Sequence, residues 1–205
     1  MKQQYFEISG PVGRIEAVVE TPEILTENRP IALLCHPHPL MQGTMDNKVV
    51  TTVGRAFNQL GLIVVRFNYR GVGKSEGEYG HVDGECADLK AVVAWARLHY
   101  PGRDLWLAGF SFGGLIAYRM ANELDAKQLL CVAPALITVE IAEPSMPFTV
   151  IIPDADEVVS VAKTYSWLNQ LKCTYHLIKL AGVSHFFHGQ LLVLRDLIVR
   201  LYGAQ

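Results

Sequence analysis

The stretch DLWLAGFSFGGLIAYRMANEL, Asp104 to Leu124, decides the fold. DLWLAG reads as a buried strand and LIAYRMANEL as an amphipathic helix; between them Ser111 stands with Gly109 two positions before it and Gly113 two after. A turn that joins strand to helix so abruptly forces its central residue into a strained backbone region and crowds the flanking positions, where a Cβ would clash. Glycine at both places removes the clash. The alternative is an ordinary glycine-rich turn with an incidental serine, and the pentapeptide alone does not separate the two.

Upstream and downstream the same rhythm repeats. PIALLCH is a short apolar run suited to a strand buried on both faces. KVVTTVGRAFNQL then places Val49, Val53, Ala56, Phe57 and Leu60 at helical spacing, with Asp46 or Asn47 as cap. LIVVRFNY and ECADLKAVVAWARLHY repeat the pair, and DLWLAG, LIAYRMANEL, QLLCVAPAL, PFTVIIPD, AKTYSWLNQLK, CTYHLIKLAG and GQLLVLRDLIVRLYG continue it. Parallel neighbours need crossovers, so this alternation predicts an α/β fold, a mostly parallel central sheet with helices on both faces. YFEISGPVGRIEAVVE, with its turn at GPVG, adds an N-terminal β-hairpin. No repeat, linker or composition shift divides the chain, and residues 1–205 are expected to form one domain.

Half of the 205 residues are apolar and 19% are charged, enough nonpolar surface to offset the ordering of a backbone. A formal net charge of -2 with no basic block leaves no electrostatic footprint for nucleic acid or anionic membrane. MKQQYFEISG has no apolar signal segment and the longest apolar run, LLCVAPALITV, is too short to span a bilayer, so a soluble cytoplasmic protein is expected. Cys35, Cys86, Cys131 and Cys173 lie far apart with no CxxC, which points to buried inert thiols rather than a zinc knuckle or a disulfide framework.

In open sheets of this kind function gathers beyond the carboxyl ends of the strands. A serine hydroxyl there is a poor nucleophile unless a base takes its proton, and the base needs a third group to hold its tautomer. After PFTVIIP come Asp154, Asp156 and Glu157; after CTYHLIKLAG come His185 and His188. Taken singly the acids read as a solvated helix cap and a loop histidine as polar surface, but serine, acid and histidine after successive strands form a triad in the expected order. An attacked carbonyl also needs donors for its oxygen. The Phe112 amide, at a helix start, supplies one. The loop HPHPLMQGTMDNK supplies the other: Pro37 and Pro39 have no NH, leaving His38 first and Leu40 second.

Two rival motifs fail on spacing. His36 and His38 do not extend to the HxHxDH pattern of binuclear zinc hydrolases, because Leu40 and Met41 hold its last places. GVGKS, Gly71 to Ser75, is not a phosphate loop, because Asn68 stands where Lys74 requires a glycine six residues earlier. It reads instead as a rim loop whose Arg70 braces its neighbours.

CHPHPLMQGTMDNK, VRFNYRGVGKSEG, GFSFGG and GVSHFFHG together resemble the α/β-hydrolases, and among them small bacterial hydrolases distantly similar to dienelactone hydrolases and acyl peptidases. The resemblance runs from Ile31 onward. It implies an α/β-hydrolase fold with Ser111 as nucleophile, His185 as base and Asp156 as acid. Pro153 replaces a glycine that the family often has three residues before the acid, so Asp154 remains the alternative. Dienelactone hydrolases use a cysteine where this chain has Ser111. Only Ile137 to Met146 is available where many relatives insert a lid, so no cap domain is expected, and an open site argues against an interfacially activated lipase or a sealed tunnel. The expected function is a serine hydrolase cleaving small-molecule acyl esters or thioesters through an acyl-enzyme, with no metal or other cofactor. The rivals are a catalytically silent binding module on the same scaffold and a nucleotide binder using GVGKS.

Overall fold

β1 (Lys2–Gly10) and β2 (Gly13–Thr21) form an antiparallel hairpin whose ends meet at Gly10 and Gly13, as the GPVG signal predicts. Then follow β3 (Ile31–Cys35), α1 (Lys48–Gln59), β4 (Ile63–Phe67), α2 (Asp83–His99), β5 (Leu105–Phe110), α3 (Phe112–Met120), β6 (Gln128–Val132), β7 (Phe148–Pro153), α4 (Val161–Leu168), β8 (Tyr175–Leu180) and α5 (Leu191–Gly203). The structure, a computed structural model, describes residues 1–24, 29–135 and 142–203. Residues 136–141, which include the first half of the Ile137 to Met146 connection expected to leave no room for a lid, lie outside the described residues.

The eight strands make one sheet in the order β1-β2-β4-β3-β5-β6-β7-β8, the α/β-hydrolase arrangement. β2 runs antiparallel to β4, and every pairing from β4 to β8 is parallel. The central strands are buried along their whole length, which is why they read as unbroken apolar runs. Their side chains alternate between two cores: Ile31, Leu33 and Cys35 face α2 and α3, while Ala32 and Leu34 face α1 and α5. After β3 the chain passes to α1 and β4 on one side, then crosses back to β5 on the other. The loops after β3 and β5 therefore leave adjacent strands toward opposite faces, opening a crevice at the switch point.

Two local expectations are corrected. The run after Ser111 is not amphipathic and stops at Met120 rather than Leu124: all of α3 except Arg119 is buried, because it packs between the sheet and α2. The cap of α4 is Ser160, whose hydroxyl accepts from Lys163 N, rather than one of the preceding acids. Asn47, not Asp46, caps α1; Asp46 instead pairs with Arg66 Nη1 at 2.8 Å. No described helix is long and apolar enough to cross a membrane.

Candidate active site

Ser111 sits at the sharp bend from β5 into α3 with φ 55° and ψ -119°, a region that costs a non-glycine residue of order 1–3 kcal/mol. The surroundings impose it. Ser111 N donates to Val132 O on β6 (3.0 Å), and Ser111 O accepts from Gly114 N and Ala135 N (2.9 and 3.0 Å). A Cβ on Gly109 would land on the Gly113 carbonyl, and one on Gly113 would land on the Cys35 carbonyl at the end of β3. The two glycines thus let β5, α3 and β3 converge around one hydroxyl. That hydroxyl has no hydrogen-bond partner among the described residues, and neither has the Phe112 amide.

Asp156 and His185 come together. Asp156, beyond β7, accepts from His185 Nδ1 at 2.8 Å through Oδ2, and both side chains are 2% exposed. Its Oδ1 accepts from Val158 N and Val159 N (2.9 and 2.7 Å). Burial pushes the Asp156 carboxyl up, but the bonds from His185, Val159 and Val158 together hold it below the ordinary aspartate range. The imidazole is gripped by Phe110, whose ring centre lies 4.9 Å away, and by the edge of Phe186 at 5.0 Å. The His185 ring thus packs on the residue that immediately precedes Ser111 in the chain.

Asp154 is elsewhere: Oδ1 takes Gly182 N at 2.5 Å and Oδ2 lies 3.4 Å from Lys179 Nζ. Glu157, which the sequence reading leaves as a solvated acid, accepts from His185 N at 3.0 Å and so ties down the backbone of the histidine loop. No pattern in the chain announces that bond, because it joins residues 157 and 185 through space. His188 is exposed at the rim, its ring 5.9 Å from that of Phe186.

On the β3 side, His36 is buried and acts as a staple. Its Nε2 accepts from Tyr69 N (3.1 Å), so the ring proton is on Nδ1 and donates to Pro37 O (2.6 Å). Burial drives its pKa down to about 4, so it stays neutral. His38 begins a short 3-10 turn, Pro39 to Met41, and its Nδ1 accepts from Leu40 N at 3.2 Å. Leu40's amide is therefore engaged, whereas His38 N has no partner among the described residues. His36 and His38 face different partners, and no group of three or more metal-ligating residues occurs among the described residues.

The GVGKS loop is filled by its own chain. Glu16 Oε2 accepts from Lys74 N and Asn68 Nδ2 (2.9 and 2.8 Å), leaving a carboxylate where a phosphate would have to sit. Arg70 grips the buried Asp88 carboxylate, Nη2 at 2.8 Å and Nε at 3.0 Å, and so braces the loop against α2. Cys35 and Cys131 are wholly buried, and burial pushes the Cys35 thiol up to about 12, which keeps it inert.

Comparison with known proteins places this geometry in context. The family model described as serine aminopeptidase, S33, matches residues 43–145, a span that holds Ser111 but neither Asp156 nor His185. An uncharacterised protein of Rickettsia prowazekii, RP471, is 33% identical over 202 residues, covering 91% of this chain and 82% of that one. The solved structure of an α/β serine hydrolase homologue from Coxiella burnetii is 42% identical, with a TM-score of 0.94 over 98% of each chain. XC6422 from Xanthomonas campestris, an α/β serine hydrolase without a lid, is 39% identical, with a TM-score of 0.92 over 98% of this chain and 93% of that one.

Proposed function

Because the chain belongs to the α/β serine hydrolases, in the family described as serine aminopeptidase S33, we propose that it hydrolyses small-molecule acyl esters or thioesters through a Ser111-His185-Asp156 triad. Ser111 Oγ attacks the acyl carbonyl while His185 Nε2 takes its proton and Asp156 holds Nδ1–H and the developing positive charge. The carbonyl oxygen, now negative, is held by the amides of Phe112 and His38. Its collapse expels the alcohol or thiol, which receives the proton from Nε2. A water activated by the same nitrogen then attacks the acyl-enzyme and frees the acid and Ser111.

The observation that carries this reading is the 2.8 Å bond from His185 Nδ1 to Asp156, which leaves Nε2 free to act as the base for the strained, unpartnered Ser111. The mechanism further requires a hydrogen bond from Ser111 Oγ to Nε2, which is to form when substrate binds, as catalytic hydrogen bonds often tighten only in the substrate complex. Esters and thioesters are favoured over N-terminal peptides because none of the three acids that follow β7 is free to take a substrate ammonium. Asp154, Asp156 and Glu157 each hold a group of their own chain. The chain acts as one domain, and its free cysteines suit the reducing cytoplasm.

The test is turnover of a panel of p-nitrophenyl esters and acyl thioesters, with mass spectrometry of the rapidly quenched protein. Hydrolysis that is lost in Ser111→Ala, together with an acyl adduct on the Ser111 peptide, is the expected outcome. A folded protein that turns over none of the panel while retaining a co-purifying partner points instead to a silent binding module.

A further inference from the structure

The loop between β4 and α2 carries strain that neither the triad nor the sheet uses. His81 and Val82 have φ of 52° and 79°, although neither is glycine and Val82 is β-branched, the residue type for which such backbone is most costly. Glu85 imposes it. This carboxylate, fully buried in the first turn of α2, accepts from Gly80 N through Oε1 and from Val82 N through Oε2, both at 2.8 Å. Backbone strain held by a buried charge marks a position that the fold is built to fix.

What the turn fixes is Tyr79. Its ring lies 5.0 Å from the His38 ring and 6.2 Å from that of Phe112, and its hydroxyl is 3.3 Å from His38 Nε2. Since His38 Nδ1 accepts from Leu40 N, the neutral ring carries its proton on Nε2 and donates it to Tyr79 Oη. Burial lowers the pKa of His38 against the opposing pull of Glu85, which favours that neutral form. The ring also packs on Phe112, 4.8 Å between centres, and the His38 carbonyl accepts from Met41 N and Gly43 N, both at 3.0 Å. Ring and carbonyl are thus engaged, and the backbone NH is the group left over.

We propose that Tyr79 is a positioning residue of the active site: by accepting the Nε2 proton of His38 it locks the residue whose amide stabilises the oxyanion, and Glu85 holds Tyr79 in place through the His81–Val82 turn. The inference rests on the hydrolase reading above, in which His38 N and Phe112 N receive the carbonyl oxygen.

Tyr79→Phe keeps the ring and removes the acceptor, so it separates the hydrogen bond from the packing. An oxyanion donor lost outright costs about 100- to 1,000-fold in kcat, and one left loosely aimed is expected to cost about tenfold, with KM within about twofold of the parent. In a His38→Ala background the same change is expected to alter kcat by less than about twofold, because its route of action is gone. A second measurement reads the clamp without turnover: long-range ¹⁵N–¹H correlation of the His38 ring, expected to show the Nε2–H tautomer in the parent and a mixture in Tyr79→Phe. Parent-like kcat in Tyr79→Phe, an undiminished tenfold loss in the His38→Ala background, or an Nδ1–H tautomer in the parent each overturns the proposal while leaving the triad intact. A folded parent protein with no turnover at all refutes the hydrolase reading, and the role of Tyr79 with it.

Discussion

Changing Asp156 to Asn alters charge without altering shape, and the bonds around it dictate the result. Oδ1 accepts from the amides of Val158 and Val159, both of which need an oxygen, so the Asn carbonyl must take that place. Its NH₂ then occupies the Oδ2 position, 2.8 Å from His185 Nδ1. Two donors cannot face one another, so the imidazole moves its proton to Nε2 and can no longer accept one from Ser111. A wrong tautomer of this kind costs about 10⁴-fold in kcat in serine proteases, or about 5 kcal/mol of barrier. Stability should change far less, by about 1 kcal/mol, because the amide oxygen keeps both backbone bonds and only their charge assistance is lost. The assay is kcat for p-nitrophenyl acetate beside a urea melt. Asp154→Asn, whose bonds go to Gly182 and Lys179, should stay within about threefold of the parent. The reasoning is refuted if Asp156→Asn keeps a tenth of the activity, or if Asp154→Asn is the variant that collapses.

Gly109→Ala sets a Cβ against the Gly113 carbonyl, which no rotamer relieves; a loss of about 3 kcal/mol or more is expected from the urea midpoint, and an unchanged midpoint contradicts the packing of the elbow. The His36 pKa falls from 6.5 unfolded to about 4 folded, so below pH 6.5 the unfolded chain binds a proton that the folded one refuses. Stability should therefore be fully present above pH 6.5 and drop by about 2 kcal/mol from this group between pH 6.5 and 5, a drop absent from His36→Gln; parallel stability curves for the two proteins count against it. Arg70→Met strands the fully buried Asp88 carboxylate and should cost about 3–5 kcal/mol in chemical denaturation, much of it recovered in the Arg70→Met, Asp88→Leu double variant.

How much of this is legible in the chain depends on whether a feature is local. The alternation of strands and helices is, because buried parallel strands need continuous apolar runs and the crossovers need helical spacing. The bend at Ser111 is too, because only glycine at 109 and 113 avoids the neighbouring carbonyls. Strand order is not: nothing in IVVRF says that it lies between β2 and β3. The burial of α3 escapes notice for a related reason, since Arg119 and Glu123 suggest a polar face that tertiary packing narrows to a single residue in the helix. At the site, proline chemistry narrows the proposed second oxyanion donor to His38 or Leu40. That the Leu40 amide is taken up by the His38 ring is visible only in three dimensions. Glu157, Glu85 and Tyr79 act through bonds that connect distant loops or distort a turn, and their neighbours in sequence look like ordinary surface.

Reaction with a fluorophosphonate followed by peptide mapping probes the activated serine most directly. The phosphonyl group should be found on Ser111, with labelling abolished in Ser111→Ala and slowed by orders of magnitude in Asp156→Asn. A folded protein that does not react, or one whose label survives in Ser111→Ala, contradicts the account.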